Sequence, residues 1–357
     1  MAGIRIATVF GTRPEIIKMS LLIPMLDGAA DHSFVFTSQH YSRNMAEIFF
    51  DELGVRKPDC MLEVNSSDYG KLQGAIEKSF ERINPTHVVV YGDTNSTLAG
   101  ALAARKVRAE LVHVEAGLRS FDSRMPEEYN RTETDKLSSL LLTPTDLTSS
   151  FIAREGLEGR VSIVGNTIVD ACLHYVKKTD ELAVLEKYGL EKNDYVLVTA
   201  HRQENVDRPE NVVRILKAFG DIGKTVLFPI HPRTKKNIKG KSYNIPKNVR
   251  IVDPIGYLDF LPLLKNSSLV LTDSGGVQEE AITLKVPCLT LRYSTERWET
   301  IHAGGNFLVG LEPELVSYCA RMIFDSDLGE KMRRAKNPYG NGKASEKCMR
   351  EIKAEIE

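Results

Sequence analysis

The sequence predicts an α/β protein of two Rossmann-like, doubly wound domains, and three observations carry that prediction. Most of its strand candidates are short runs that are apolar on successive residues rather than on alternate ones, the pattern of parallel strands buried on both faces. Helical segments of about ten residues or more lie between them, as parallel crossovers require. The runs fall into two groups in a chain of 357 residues, which is longer than one hydrophobic core comfortably serves.

In chain order, the first group is 4–10 (IRIATVF), 33–38 (SFVFTS), 87–91 (HVVVY), 111–114 (LVHV), 140–143 (LLLT) and 161–164 (VSIV). The second is 195–199 (YVLVT), 225–229 (TVLFP), 249–252 (VRIV), 268–272 (SLVLT), 287–291 (PCLTL) and 306–309 (NFLV). Between the groups, 165–194 is charge-rich and mostly helical in pattern. The boundary is placed near residue 168, giving domains 1–168 and 169–340. The break Asn337-Pro338-Tyr339-Gly340 then precedes an amphipathic helix over 341–357.

Composition removes several function classes. The formal net charge is −1, without the basic excess of a general nucleic-acid binder, although a local basic cleft for a small anion remains open. No apolar run approaches the ~18 residues of a membrane span. The start, Met1-Ala2-Gly3-Ile4, shows no basic segment followed by an apolar one, so no secretory signal is expected. Cys60, Cys172, Cys288, Cys319 and Cys348 are odd in number and form no CxxC pair. This argues against a disulfide framework or a zinc site and fits a reducing cytoplasm.

Motifs that are missing narrow the chemistry further. No GxGxxG follows a strand. The segment 218–225 (AFGDIGKT) comes nearest to a P-loop, but Ala218 stands where the first Gly is required and the segment leads into a strand. His113 and Glu115 match the HxE of zinc deaminases, yet Pro287-Cys288 is followed by Leu289 and no second Cys. Ser274 lacks the GxSxG frame because position 272 is Thr. NAD, ATP, zinc and acyl-serine chemistry therefore drop out as first readings.

The motifs that remain cluster at strand ends. Gly11-Thr12-Arg13-Pro14 turns from the first strand into a helix, where Arg13 and Lys18 could hold a phosphate; the competing reading is a solvated pair. Asp93 follows HVVVY directly and is either a helix cap or a reactive carboxylate. Glu115 follows the next strand, so two carboxylates stand at one sheet edge. Glu127 and Glu128 open a later helix, where the dipole alone would favour them.

In the second half, His201 and Arg202 follow YVLVT, and His231 repeats that placement after TVLFP. Ser274-Gly275-Gly276 opens a helix in which bare N–H groups could meet a phosphate, and Glu280 one turn on could accept from ribose hydroxyls. The competing reading is a Ser-capped helix with a close-packed Gly pair. Arg297 adds a cation nearby. Together these residues describe a nucleotide-sugar site with acid–base groups.

The segments GTRPEIIK (11–18), TSQH (37–40), YGDT (91–94), HVEAGLRS (113–120), MPEEYNR (125–131), TAHRQEN (199–205), HPR (231–233), TDSGGVQEEA (272–281) and TERWE (295–299) resemble, in order, the non-hydrolysing UDP-N-acetylglucosamine 2-epimerases. The resemblance runs from residue 4 to about 335. It implies a GT-B-like arrangement of the two domains with the active site in the cleft between them, and a homodimer. It also implies a UDP-sugar substrate, no cofactor and no metal, and a last helix packed back on the first domain.

Residue by residue, the resemblance implies substrate binding by Arg13, Lys18, Asp93, Glu115, His201, Phe260, Ser274, Gly275, Gly276, Glu280 and Arg297. Asp93, Glu115 and Glu127 match the acid–base carboxylates, His201 is often added to them, and Glu128 is the alternative to Glu127. Gln39, His40, Arg202 and His231 match the region where bacterial relatives hold a second, activating nucleotide sugar. This chain departs there: it reads HRQEN with Gln203 where HRREN is common, Tyr41 and Ser42 follow His40, and the segment from Glu115 to Glu127 is of a short type.

The reaction so implied is elimination of UDP to 2-acetamidoglucal and re-addition with C2 inverted. A hydrolysing 2-epimerase, a 2-epimerase of a modified UDP-sugar, a GT-B glycosyltransferase and a non-catalytic nucleotide-sugar sensor are the alternatives.

Overall fold

The structure, a computed structural model, describes residues 3–38, 49–62, 64, 68–238 and 243–356. The chain forms two units, Met1–Ala171 with Tyr339–Glu357, and Cys172–Pro338. Each is a parallel sheet covered by helices on both faces, a Rossmann-like doubly wound unit.

In the first unit seven strands lie in the order β3-β2-β1-β4-β5-β6-β7. They are β1 (Arg5–Phe10), β2 (Asp31–Phe36), β3 (Cys60–Met61), β4 (His87–Tyr91), β5 (Glu110–Val114), β6 (Leu140–Thr143) and β7 (Arg160–Ile163), and every pair is parallel. Successive apolar residues go to opposite faces. Ala7, Val9, Val88 and Val90 pack with Leu72, Ile76 and Phe80 of the helix Tyr69–Ile83. Phe10, Phe34, Phe36 and Phe50 fill the other face as an aromatic cluster. The chain changes winding direction between β1 and β4, and the crevice outside their carboxyl ends is where open α/β sheets bind ligands.

In the second unit six strands lie in the order β10-β9-β8-β11-β12-β13. They are β8 (Tyr195–Thr199), β9 (Thr225–Pro229), β10 (Val249–Val252), β11 (Leu269–Thr272), β12 (Cys288–Thr290) and β13 (Asn306–Leu308). Val196, Val198, Leu269 and Leu271 pack with Ile215, Leu216 and Phe219 of the helix Pro209–Gly220. Leu197, Leu227 and Val270 pack with Leu263, Leu264 and Ala281 opposite. Here the switch lies between β8 and β11.

All twelve predicted strands are present. The two-residue β3 was not predicted, because a pattern cannot show in so short an edge strand. β7 is the edge of its sheet, and Ile163 is exposed. Its Arg160 instead reaches Glu351 at 2.7 Å and Glu355 at 3.0 Å on the helix Ala344–Ile356. The same helix has its first N–H groups accepted by Asp170, from Ala344 at 3.0 Å and Ser345 at 2.7 Å. Among the described residues no helix is long and apolar enough to cross a membrane.

Candidate functional site

The carboxyl edge of the first sheet is built from turns that follow β1, β4 and β5. After β1, Gly11 and Thr12 lead into the helix Arg13–Met19, with Pro14 in its first turn. The buried Glu15 carboxylate accepts from the amides of Gly11 (3.1 Å) and Thr12 (2.8 Å) and from the Thr12 and Thr94 hydroxyls (2.6 and 2.9 Å). It ties the β1 turn to the one after β4. Burial raises its pKa, and the hydroxyl and amide donors oppose that rise.

Lys18, on the same helix, is buried with its Nζ 2.5 Å from Glu115 Oε2. That oxygen also accepts from the Tyr91 hydroxyl and the Asn166 side-chain amide, both at 2.9 Å. Glu115 has φ +69°, a left-handed conformation that costs a non-glycine residue about 1–3 kcal/mol. Strain at a buried carboxylate held by three donors marks this turn as more than a strand connection. Arg13 is half-buried, with its guanidinium 4.6 Å from the centre of the Phe49 ring.

Asp93 stands one strand away, β4 and β5 being neighbours. Its Oδ2 is 2.6 Å from Nη2 of the buried Arg131, and its carbonyl accepts from Asn130 at 2.9 Å. Arg131 Nη1 reaches Glu128 Oε2 at 2.6 Å. Glu128 also accepts from the Ser120 amide and hydroxyl (2.9 and 2.7 Å) and the Phe121 amide (3.0 Å). Three of its four bonds hold the 120–121 turn, and the fourth is to Arg131, which also holds Asp93. Glu127 is half-buried.

In the second unit the corresponding edge lies beyond β8 and β11. His201 Nδ1 is 3.0 Å from Oδ1 of the fully buried Asp273. Asp273 Oδ2 accepts from the amides of His201 and Arg202 (2.8 Å each) and from Asn205 (3.0 Å). Burial pushes this carboxyl up, but His201 and the two amides outweigh it and hold it at about 2. The His201 and His231 rings lie 5.2 Å apart. His231 Nδ1 accepts from the Arg233 amide at 3.2 Å.

Ser274 precedes the helix Gly275–Thr283, and its own hydroxyl makes no cap bond there. A Cβ on Gly275 would sit 2.5 Å from Glu296 Oε1, whereas one on Gly276 would meet nothing within 4 Å. So packing explains Gly275, and Gly276 borders open space at a helix N-terminus. Arg297 is buried, its Nε 2.6 Å from Glu279 Oε1, and Arg292 Nη1 is 3.0 Å from Glu296 Oε2. Glu280 is buried and adds its negative charge to the burial that raises the thiol of Cys172 and the phenol of Tyr257. Phe260, three residues after Tyr257, is partly buried against the core.

The structure therefore brings Lys18 to Glu115, Asp93 to the helix carrying Glu127, and His201 to His231. Gln39 and His40 lie outside the described residues. His113 and Glu115, the HxE match, point to different partners, and among the described residues no group of three or more His, Cys, Asp or Glu side chains could hold a metal. Sequence reasoning passed over Tyr91, Arg131 and Asp273, although each stood inside a quoted motif. It also missed Asn166, whose only signal was a Gly-Asn pair following a strand.

The chain matches the family model described as UDP-N-acetylglucosamine 2-epimerase over residues 26–353. It is 44% identical to a UDP-N-acetylglucosamine 2-epimerase of Methanocaldococcus jannaschii, covering 97% of this chain and 98% of that one. It is 38% identical to the UDP-2,3-diacetamido-2,3-dideoxy-D-glucuronate 2-epimerase of Pseudomonas aeruginosa, covering 96% and 97%. The crystal structure of a Methanocaldococcus jannaschii UDP-GlcNAc 2-epimerase in complex with UDP-GlcNAc and UDP superposes with a TM-score of 0.89 at 44% identity, covering 98% of this chain and 99% of that one.

Proposed function

Because the chain belongs to the UDP-N-acetylglucosamine 2-epimerase family, we propose that it interconverts UDP-N-acetylglucosamine and UDP-N-acetylmannosamine without hydrolysing them. The observation that carries this reading is the pair of carboxylates, Asp93 and Glu115, at neighbouring strand ends, one paired with Arg131 and the other with Lys18, Tyr91 and Asn166.

The chemistry explains why more than one carboxylate is needed. The C2–H of the sugar is not acidic until C1 carries positive charge. The C1–O bond breaks, UDP leaves with the electron pair, one carboxylate takes the C2 proton, and the C1–C2 double bond of 2-acetamidoglucal forms. UDP oxygen then re-adds to C1 while a second acid delivers a proton to the other face of C2. Asp93, Glu115 and Glu127 are assigned these transfers. Glu128, held in four hydrogen bonds, is the weaker choice beside Glu127.

The groups of the second unit are assigned to UDP. The N–H groups at Ser274–Gly276 and the His201 side chain would stabilise the leaving diphosphate, Glu280 would accept from the ribose, and Phe260 would flank the base. Arg297 is already paired with Glu279, so its share in binding is electrostatic reinforcement from beneath the helix start. Gly276→Ala is expected to weaken UDP binding at least tenfold by calorimetry while the thermal midpoint holds. Gly275→Ala is expected to cost about 1–3 kcal/mol of stability through its clash with Glu296. If both variants bound UDP as the parent does, the helix start would not be the diphosphate site.

The deciding experiment is proton NMR of the protein with UDP-N-acetylglucosamine in D2O. UDP-N-acetylmannosamine carrying deuterium at C2, with UDP still attached, is expected. Free N-acetylmannosamine plus UDP would place the chain with hydrolysing epimerases. No turnover, with UDP still bound, would favour a modified sugar such as the one in the Pseudomonas relative's name. The homodimer implied by the resemblance belongs to the same reading and is checked by light scattering.

A further inference from the structure

The helix Pro126–Leu137 buries Asn130, Arg131, Thr134 and Asp135, a stripe with no apolar member. Burying polar groups and charges costs free energy unless each is paired, and hydrophobic packing gains nothing from such a face. Each member has partners, and the partners of three of them converge on the turns after β4 and β5. Arg131 and Asn130 hold the Asp93 carboxylate and carbonyl. Asp135, one helical turn further, reaches both turns at once.

Asp135 Oδ2 accepts from the Gly117 amide at 3.1 Å and from Arg119 Nη1 at 2.7 Å. Gly117, two residues beyond Glu115, has φ +81°, and a Cβ there would sit 2.5 Å from the Thr148 carbonyl oxygen. Asp135 Oδ1 lies 2.7 Å from His113 Nδ1, and His113 Nε2 lies 2.7 Å from the carbonyl oxygen of Gly92. A carbonyl only accepts, so Nε2 carries a proton and donates it. Gly92, with φ +69°, immediately precedes Asp93. His113 and Asp135 are fully buried, and neither can touch bulk solvent or stand at the open edge.

We infer that Asp135, acting through His113 on the Gly92 carbonyl and directly on the Gly117 amide, is a positioning residue that sets the spacing of the two turns carrying Asp93 and Glu115. The inference rests on the assignment of those carboxylates to proton transfer. It explains why a surface helix gives its buried face to charged side chains. A shift of one turn relative to the other would leave both carboxylates present but out of register with a proton on C2. Misplacement of about 1 Å is enough to cost on the order of 10²-fold in rate.

The test is a pair of substitutions at His113 in the full chain. Asn places its amide near Nδ1 and keeps the Asp135 contact while losing Gly92. Gln reaches the Nε2 position and keeps the donor to Gly92. His113→Asn is expected to lower kcat for epimerisation 10- to 100-fold with KM and UDP affinity within about twofold, and His113→Gln, which restores the donor to Gly92 but not the tie to Asp135, is expected to recover only part of that loss; full recovery would remove Asp135 from the Gly92 contact and overturn the inference. A folded His113→Asn protein with parental kcat, or one in which KM rises and kcat holds, would overturn the inference. If His113→Asn fails to fold by circular dichroism, Asp135→Asn carries the test. A roughly tenfold fall in kcat at unchanged KM supports the inference, and an unchanged kcat overturns it. Glu115→Gln is run beside these variants: if it keeps full turnover, the acid–base assignment fails. If it is inactive while the His113 variants turn over normally, only the positioning role fails.

Discussion

Glu115→Gln is expected to lower kcat for C2 inversion by about 10²–10⁴-fold, the share usually carried by one positioned acid–base group. The substitution is isosteric, and the amide oxygen can still accept from Lys18, Tyr91 and Asn166, so the turn after β5 keeps its shape. What is lost is a carboxylate able to take or give a proton. The buried Lys18 also loses its countercharge, so rates are compared well below the unfolding midpoint, with circular dichroism confirming the folded state. Deuterium uptake at C2 from D2O should fall in parallel with turnover, because both need the same proton transfer. UDP affinity should change little, since the groups assigned to UDP belong to the other unit. Turnover near the parental rate would remove Glu115 from proton transfer and leave Asp93 and Glu127 to share it.

Asp273→Asn is expected to reduce stability at pH 7 by about 2 kcal/mol and to weaken acid sensitivity at the same time. The Asp273 carboxyl is held at about 2, against 3.8 for an unperturbed Asp. The folded value lies below the unfolded one, so the ionised form favours folding. That contribution is complete above about pH 5, is lost progressively as pH falls past 3.8 through about 2, and is gone by about pH 1. The gap in pKa corresponds to about 2 kcal/mol at 1.36 kcal/mol for each pH unit. Asn lacks this titration, so urea midpoints of the two proteins should differ at pH 7 and converge toward pH 2. His201 would also lose the anion that fixes its ring, and kcat should fall. Equal midpoints at pH 7 would show that His201 and the two amides contribute nothing net through Asp273.

The fold was legible because burial on both faces writes itself into composition. Val88, Val89 and Val90 are apolar in succession because neighbouring residues of one parallel strand face two different helical layers. Where burial is one-sided or partial that signal fades, as in the edge strand β7 with its exposed Ile163, and in a strand as short as β3 it does not show at all. Strand order is not carried by any run. The switch points at β1/β4 and β8/β11 appeared only in the sheets themselves.

The candidate site divides in the same way. Arg13, Asp93, Glu115, His201 and Ser274 follow strands, so their placement at a carboxyl edge could be derived from local order alone. Their partners could not. Glu115 is bonded to Asn166, 51 positions on, and His201 to Asp273, 72 positions on, and no spacing rule connects such pairs. Arg131 and Asp135 look in the sequence like ordinary members of a solvated helix, with Glu127, Glu128, Glu133 and Lys136 around them. Only the packed structure shows that their side of that helix is the buried one.

By itself, then, the amino-acid order determined two parallel α/β units, the strand ends at which chemistry is placed, and the family whose motifs sit there. These follow from backbone hydrogen bonding and apolar burial, which act within a few residues. Tertiary structure decided which carboxylates are ion-paired, which glycine is required by a neighbour and which borders open space, and which buried charges brace the turns. Those properties depend on distances between residues far apart in the chain, and on the loss of water around them, which no local pattern encodes.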